Sequence, residues 1–174
     1  MSNNIVRRMK RDDLRMVLQW RNHIEVRRFM YSQEEISFLD HTKWFEANSN
    51  NPDKKLLIFE KNDISLGFIN FDRIRNSDVV DWGFYTAPNA PKGTGKRLGK
   101  TVLDYAFKGL NFRKVCGQVL SYNQRSINFH LKLGFRQEGV LVDQYFDGHK
   151  YHSVVCFGLL SNEWNMIQCG EESD

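Results

Sequence analysis

The chain changes from a strand pattern to a helical pattern across residues 86–96, a segment rich in glycine and proline. Before this segment, Val79–Thr86 has the composition of a strand. After it, apolar residues recur at helical spacing, namely Leu98, Val102, Ala106 and Leu110. Glycines at such a junction let the backbone approach a ligand, and the first N–H groups of the helix lack intrahelical partners. The segment therefore predicts an anion site, with a pyrophosphate as its natural ligand.

The remaining pattern predicts a mixed α+β fold. Strands are predicted over Ile5–Met9, Leu56–Glu60, Ile64–Arg73, Val79–Thr86, Val115–Leu120, Phe135–Tyr145 and Lys150–Leu159. Helices are predicted from a cap at Asp12 or Asp13, from a capping box at Ser32 and Glu35, after Gly95, and over Arg125–Leu133. The turns between the second, third and fourth strands are too short for parallel crossovers, which predicts an antiparallel meander. We predict one domain over residues 1–165, followed by a short tail over 166–174.

Composition and charge exclude few function classes. Hydrophobic residues make up 41% and charged residues 26%, a balance typical of globular proteins. The sequence shows neither an apolar run long enough to cross a bilayer nor a secretory signal, and its three cysteines form no Cys-x-x-Cys pair, so we expect reduced thiols in a cytoplasmic protein. The net charge of +4 is spread along the chain; it suits phosphate-bearing ligands as well as a nucleic-acid surface, and it excludes neither.

Three kinds of phosphate-binding loop combine glycines with a helix start in the way that residues 86–96 do. A P-loop before Gly99-Lys100 requires glycine where Thr94 stands, and a dinucleotide fingerprint requires glycine at Leu98. The segment instead resembles the acyl-CoA pyrophosphate loop of the GCN5-related N-acetyltransferases, Gln/Arg-x-x-Gly-x-Gly/Ala, with Gly93 and Gly95 at the glycine positions. Ala90 occupies the Gln/Arg position, a departure that removes one side-chain contact and leaves the backbone donors.

A second motif, over residues 123–135, resembles the later motif of the same family, and the resemblance extends over essentially the whole chain. It implies a mostly antiparallel mixed sheet of about seven strands, flanked by helices and splayed into a V between the middle strands. It also implies acetyl-CoA as co-substrate and no metal. The implied cofactor-binding residues are Phe84, Tyr85, Thr86, Lys92, Gly93, Thr94, Gly95, Lys96, Asn123, Ser126, Phe129 and Lys132. His149 and His152 would face opposite sides of a strand without further ligands, so no metal site is predicted.

Transfer of an acetyl group from a thioester to an amine requires a neutral amine, a donor to the oxyanion and a proton for the departing thiolate. The family's proton-donating tyrosine aligns with His130, so the resemblance implies that His130 is the general acid. Tyr85 lies where its side chain would reach the acyl group and is the second catalytic candidate. His41, Asp81 and Glu25 are eligible bases, but each is also explained by a structural role, and no base is assigned.

The acceptor is predicted to bind the N-terminal helices, where residues 20–23 (Trp-Arg-Asn-His) are combined with further aromatic and polar groups. These residues resemble a branch of the family that acetylates nucleotide-linked amino sugars in pseudaminic-acid biosynthesis for flagellin glycosylation. The implied acceptor is UDP-4-amino-4,6-dideoxy-N-acetyl-β-L-altrosamine. The implied substrate-binding residues are Arg21 and His41 at the diphosphate, Met30 and Trp44 at the sugar or base, and Asn22.

Two other functions remain open at this point. An acetyltransferase of ribosomal-protein N-termini shares a Trp-Arg-Asn segment, although a peptide acceptor would favour a groove lined by acidic residues. A non-catalytic acyl-CoA sensor would keep the glycine loop and lose the proton donor. We expect no nucleic-acid or membrane partner, and a homodimer is compatible with the sequence.

Overall fold

The computed structural model describes residues 3–171, which form seven strands and six α-helices. The strands are β1 (Asn4–Arg8), β2 (Lys54–Lys61), β3 (Ile64–Arg73), β4 (Val79–Thr86), β5 (Lys114–Leu120), β6 (Arg136–Phe146) and β7 (Tyr151–Leu160). The helices are α1 (Leu14–Asn22), α2 (Ile24–Arg27), α3 (Phe38–Asn48), α4 (Thr94–Asp104), α5 (Gln124–Lys132) and α6 (Ser161–Glu171). A 3₁₀ turn over Arg11–Asp13 precedes α1, and a π-helical segment over Tyr105–Gly109 follows α4.

The strands form one mixed sheet in the order β1-β2-β3-β4-β5-β7-β6. The pairs β1–β2, β2–β3, β5–β7 and β6–β7 are antiparallel, whereas β4 and β5 are parallel. The pairing of β4 with β5 joins Val79–Asp81 to Lys114–Cys116, so the C-terminal part of β4 extends beyond it. The predicted α+β class, with a mostly antiparallel sheet that splays between its middle strands, is confirmed.

Two compact units make up the chain, and the first consists of residues up to Arg73 together with Trp82–Val102. Its core is formed by one face of α1, contributed by Leu14, Val17 and Trp20, which packs with apolar side chains of β2, β3 and α3. The helical spacing of these three residues explains why the segment folds as a helix with one buried stripe.

The second unit consists of Ile74–Asp81 and the chain from Leu103 onward. Trp164 of α6 is fully buried there, and its indole N–H donates a 3.0 Å hydrogen bond to the carboxylate of Asp104. Helix α5 ends at Gly134, whose φ of +91° is the left-handed conformation that glycine adopts without strain. A Cβ at this position would also approach the Ile167 side chain of α6 to 2.3 Å. The glycine therefore ends α5 and allows α6 to pack closely.

Of the two predicted helix caps in the N-terminal part, the box of Ser32 and Glu35 is wrong, whereas Asp13 stands at the N-cap position of α1 without a side-chain capping hydrogen bond. The N–H of Asp40 donates to the hydroxyl of Ser37 (3.1 Å), so α3 begins after Ser37 rather than at the predicted box of Ser32 and Glu35. The Asp13 carboxylate does not bond to the α1 backbone, because it accepts hydrogen bonds from the Arg7 guanidinium (2.8 and 2.9 Å) and from the Lys10 N–H (2.7 Å).

The predicted C-terminal tail begins inside helix α6, and residues 172–174 of that tail lie outside the described residues. No helix of the described chain is long and apolar enough to cross a membrane.

Candidate active site

The glycine loop of the first unit ends in a set of backbone donors. Gly93 has a φ of +86°, and α4 begins at the next residue. The hydroxyl and the N–H of Thr94 both donate to the carbonyl of Pro91, at 2.7 and 3.1 Å, which closes the loop onto the helix. In the described part of the chain, the N–H groups of Gly95 and Lys96 have no backbone acceptor. Such first-turn donors, aligned with the positive end of the helix dipole, are suited to a pyrophosphate.

Two exposed lysines and one half-buried alanine complete this loop. Lys92 and Lys96 lie in the exposed part of the loop and carry positive charge next to the backbone donors. Ala90 packs against the apolar core of the first unit, so the position where the family pattern has Gln or Arg contributes packing. Residues 92–96 thus combine backbone donors with positive charge, and their contact with a cofactor stays a prediction.

The end of β4 carries the predicted acyl-binding residues Phe84, Tyr85 and Thr86, all of which are half-buried. Close packing in this region depends on a glycine that the sequence reasoning missed. A Cβ on Gly67 of β3 would lie 2.3 Å from the Leu98 side chain and 3.2 Å from the Tyr85 carbonyl oxygen. An isolated glycine inside a strand pattern is the signal that predicts such an approach.

Helix α5 of the second unit carries the later family motif. The side-chain oxygen of Asn123 accepts a hydrogen bond from the Ser126 N–H at 3.1 Å, which caps the helix. Ser126 and Phe129 are half-buried, and Lys132 is exposed. The contacts of these residues with a cofactor stay a prediction, and the observed role of Asn123 is to fix where α5 begins.

His130 is the most buried polar residue of α5, with 2% of its surface exposed. Its Nδ1 lies 2.8 Å from the Ser126 carbonyl oxygen, and its ring stacks on Phe157 with centroids 4.9 Å apart. Because the carbonyl can only accept, Nδ1 carries the proton. Burial lowers the pKa of His130 to about 4, so the ring is neutral at pH 7. This neutral ring is not the imidazolium that the predicted acid role requires, and that role stays a prediction.

A continuous row of rings lies on the predicted acceptor side of the first unit. The rings of His41 and Trp44 are stacked, with centroids 5.1 Å apart and an interplanar angle of 16°. Trp44 meets Phe68 at 6.0 Å, and Phe68 meets Tyr85 at 5.2 Å. Phe68 was not predicted, because nothing in its local sequence distinguishes it from other core residues of β3. The row connects the predicted acceptor residues to the end of β4.

Arg21 and His41 each bury a nitrogen that has no hydrogen-bond partner. Arg21 donates from Nη2 to the Ser32 carbonyl at 2.7 Å, while its Nη1 is buried and unpaired, as is Nε2 of His41. Burial lowers the pKa of both groups, and it raises the pKa of Tyr85 well above its usual range. Buried polar atoms are nearly always paired in native proteins, so unpaired ones in one cluster indicate places for ligand atoms.

Burial changes what His41 can contribute to the predicted binding of a diphosphate. With its pKa lowered by burial and by the nearby Arg21, the ring offers hydrogen bonding rather than charge at pH 7. Arg21 keeps its charge, because a guanidinium is not deprotonated under ordinary conditions. Only Arg21 of this predicted pair therefore supplies a positive charge.

The amide of Asn22 is occupied within the protein. Its Nδ2 donates to the Ile36 carbonyl at 2.8 Å, and its Oδ1 accepts from the Ile36 N–H at 2.9 Å. We therefore replace its predicted contact with substrate by a structural role, which is to hold the segment between α2 and α3. Arg27 supports the same segment through the Gln33 carbonyl (2.8 Å), whereas Met30 is half-buried in it and its contact with substrate stays a prediction.

Within residues 3–171, no group of three or more His, Cys, Asp or Glu side chains is arranged to hold a metal ion.

The fold and the glycine loop define an acyltransferase that uses a CoA thioester. The model of the acetyltransferase (GNAT) domain matches residues 4–136, and the chain belongs to this family of N-acetyltransferases, whose co-substrate is acetyl-CoA.

Similar proteins differ in their named functions. The SPbeta prophage-derived uncharacterized N-acetyltransferase YokL of Bacillus subtilis is 31% identical over 128 residues, covering 71% of each chain. The acetyltransferase PseH of Campylobacter jejuni is 25% identical over 118 residues, covering 68% of this chain and 73% of PseH. The crystal structure of spermidine N-acetyltransferase from Vibrio cholerae in complex with CoA and spermine superposes with a TM-score of 0.86 at 21% identity, covering 93% of this chain and 98% of that one. This last likeness shows the fold.

Proposed function

We propose that this N-acetyltransferase acetylates a primary amine on a molecule that also carries phosphate. The specific candidate is UDP-4-amino-4,6-dideoxy-N-acetyl-β-L-altrosamine, which the sequence resemblance to the amino-sugar branch supplies. The observation that carries the proposal is the buried, unpaired Nη1 of Arg21. A phosphate oxygen is a strong acceptor for such a donor, and guanidinium groups bind phosphate in a fixed geometry.

The charges around Arg21 favour an anion over a polyamine. The ionisable groups that act on it are Tyr85, which is neutral, and Arg27, which is positive. Among the described residues no carboxylate forms an ion pair with Arg21. A cationic nitrogen about 6 Å from the guanidinium would be repelled by about 3 kcal/mol at an effective dielectric constant near 20. Each ammonium group of a polyamine that approached the Arg21 guanidinium would be repelled in the same way.

The aromatic row gives the same cluster a surface for rings. The half-buried Trp44, backed by the buried Phe68, can pack against a sugar or a uracil. The Tyr85 hydroxyl, held neutral by burial, can donate or accept one hydrogen bond. Because Tyr85 lies on β4 among the predicted acyl-binding residues, an acceptor held by Arg21 would be directed toward the end of that strand. This supports Tyr85 as a residue that positions the amine.

Thiol release from acetyl-CoA tests the proposal with three acceptors: the UDP-linked amino sugar, spermidine and an N-terminal peptide. We expect the highest kcat/KM with the amino sugar. The variant Arg21→Gln should raise KM for that acceptor at least about 10-fold, the loss expected for one charged hydrogen bond, and leave KM for acetyl-CoA unchanged. Arg11→Gln is the matched control, since Arg11 is exposed and forms its ion pair with Glu46, away from the aromatic row.

The proposal is wrong if spermidine is the better acceptor and Arg21→Gln improves its use, because removal of a positive charge helps a cationic substrate. Release with the peptide alone would instead support acetylation of protein N-termini. Binding of acetyl-CoA without release by any acceptor would support a sensor.

A further inference from the structure

Arg97 of α4 lies over the glycine loop of the first unit, and the proposed function does not use it. Its Nη1 is 3.3 Å from the position that a Cβ on Gly93 would occupy, and its Cζ and Nη2 are each 3.9 Å from that position. Side chains of a helix tilt toward its N-terminus, so a residue in the first turn of α4 reaches back over the preceding loop. The guanidinium therefore lies in the space that Gly93, which has no side chain, leaves open.

The charge around Arg97 is positive and is not balanced by nearby acidic residues. Residues 82–103 include Lys92, Lys96, Arg97 and Lys100 but neither aspartate nor glutamate. Arg97 is exposed, and within residues 3–171 its guanidinium forms no ion pair. These four positive charges equal the net charge of the whole chain, which is +4. The segment is therefore complementary in charge to a ligand with several negative charges.

The position of two of these charges is unfavourable for the helix itself. Backbone dipoles give a helix N-terminus a partial positive charge, which favours aspartate or glutamate in the first turn and disfavours cations. The first turn of α4 has no acidic residue, and it contains Lys96 and Arg97 instead. Natural sequences depart from such local rules mainly at functional sites. This departure indicates that the first turn is suited to a bound anion, although the cations lower the stability of the helix.

Arg97 also explains how the loop can lack the Gln or Arg of the family pattern. That position is Ala90, whose side chain packs against the apolar core of the first unit. A guanidinium binds phosphate oxygens through a planar fork of N–H groups. Arg97 presents such a fork from the helix side of the loop, in the same turn as the backbone donors of Gly95 and Lys96.

We propose that Arg97 binds the diphosphate of acetyl-CoA, in place of the side chain that is missing at Ala90. The inference rests on the use of acetyl-CoA and is independent of the acceptor. Gly93 is then required for two reasons, its positive φ and the room that it leaves for the guanidinium. Lys92 and Lys96 add positive charge, whereas Arg97 supplies the hydrogen-bonding geometry.

Calorimetric titration with CoA and with dephospho-CoA, which lacks the 3′-phosphate, tests the assignment without an acceptor. We expect Arg97→Gln to raise Kd at least about 10-fold for both ligands, the loss expected for one charged hydrogen bond. Arg97→Lys keeps the charge without the planar fork and should raise both Kd values by a smaller factor. Arg11→Gln, the control, removes an exposed arginine elsewhere in the first unit and should bind both ligands as the wild type does.

Thermal unfolding provides a readout that a purely structural role would move in the opposite direction. Because Arg97→Gln removes a cation from the positive end of α4, we expect it to raise the Tm of the ligand-free protein by about 1–3 °C. Saturating CoA should then raise the Tm of this variant by less than it raises that of the wild type.

Unchanged Kd values in folded Arg97→Gln, together with a lower ligand-free Tm, would show that Arg97 only stabilises the loop and would overturn the proposal. A loss of affinity for CoA that is absent with dephospho-CoA also overturns it, because Arg97 would then bind the 3′-phosphate. Arg97→Ala decides the question in the same way if Arg97→Gln does not fold. Failure of the proposed acceptor leaves these measurements unaffected, since neither ligand requires an amine.

Discussion

Replacing His130 by phenylalanine should make the protein more resistant to acid. The wild-type ring is buried against Phe157 and neutral, with a pKa of about 4, whereas a histidine in the unfolded chain titrates near 6.5. As the pH falls below the unfolded value, the unfolded state binds a proton that the folded state does not, so folding stability decreases. The decrease ends once the pH is below the folded value.

The size of this effect follows from the two pKa values. A folded-state pKa of about 4 against an unfolded value near 6.5 corresponds to about 3 kcal/mol over the whole transition, of which about 2 kcal/mol falls between pH 7 and pH 5. Any change in packing caused by the phenylalanine is present at both pH values and cancels from the comparison. The lowered pKa of His41 adds acid sensitivity of the same sign, but it does so equally in both proteins.

Urea unfolding at pH 7 and pH 5, at one ionic strength and followed by circular dichroism, gives the two free energies of unfolding. We expect His130→Phe to lose about 2 kcal/mol less than the wild type over this range. His149→Gln, which removes an exposed histidine, should behave as the wild type does. Equal losses in the wild type and His130→Phe would refute the buried neutral state. The same variant tests the predicted general acid, because turnover within a few-fold of the wild type at pH 7 would remove that role.

Two further substitutions test the loop and the ion pair of the first unit. Gly93→Ala should raise KM for acetyl-CoA and lower stability by about 1 kcal/mol, because a φ of +86° strains a residue with a Cβ; an unchanged KM would show that the loop does not hold the cofactor. Asp13→Asn should cost about 2 kcal/mol of folding free energy at pH 7, because the Arg7 guanidinium loses its bidentate partner. Hydrogen bonding and charge from Arg7 keep the Asp13 pKa below its usual value, so this stability is present above the unfolded pKa and is lost as the pH falls. Urea unfolding at pH 7 and pH 3 should show the cost of Asp13→Asn shrinking at the lower pH, and a constant cost would contradict the ion-pair explanation.

Most helices and strands could be predicted from the sequence, because turns, caps and the hydrophobic period are set by residues that lie close together in the chain. The bounds of β4 were predicted as Val79–Thr86 and are observed there, since turns and a change of period mark both ends. The start of α3 was missed because Ser32 with Glu35 and Ser37 with Asp40 present the same local signal. The choice between them depends on a distant contact, the double hydrogen bond of Asn22 with the Ile36 backbone. This contact holds Ile36 outside the helix, and no local pattern reveals it.

The candidate site shows the same division between local and distant information. Motif register identified Arg21 and His130, but only the fold shows that Arg21 keeps an unpaired Nη1 and that His130 is sealed among phenylalanine rings. The charge states expected from the motif consequently change, because the buried His130 is neutral rather than cationic. Of the predicted pair Arg21 and His41, only Arg21 offers a positive charge to an acceptor, because burial lowers the pKa of His41. A residue type at a motif position predicts where chemistry occurs, whereas its protonation state is set by the desolvation and partners that tertiary structure provides.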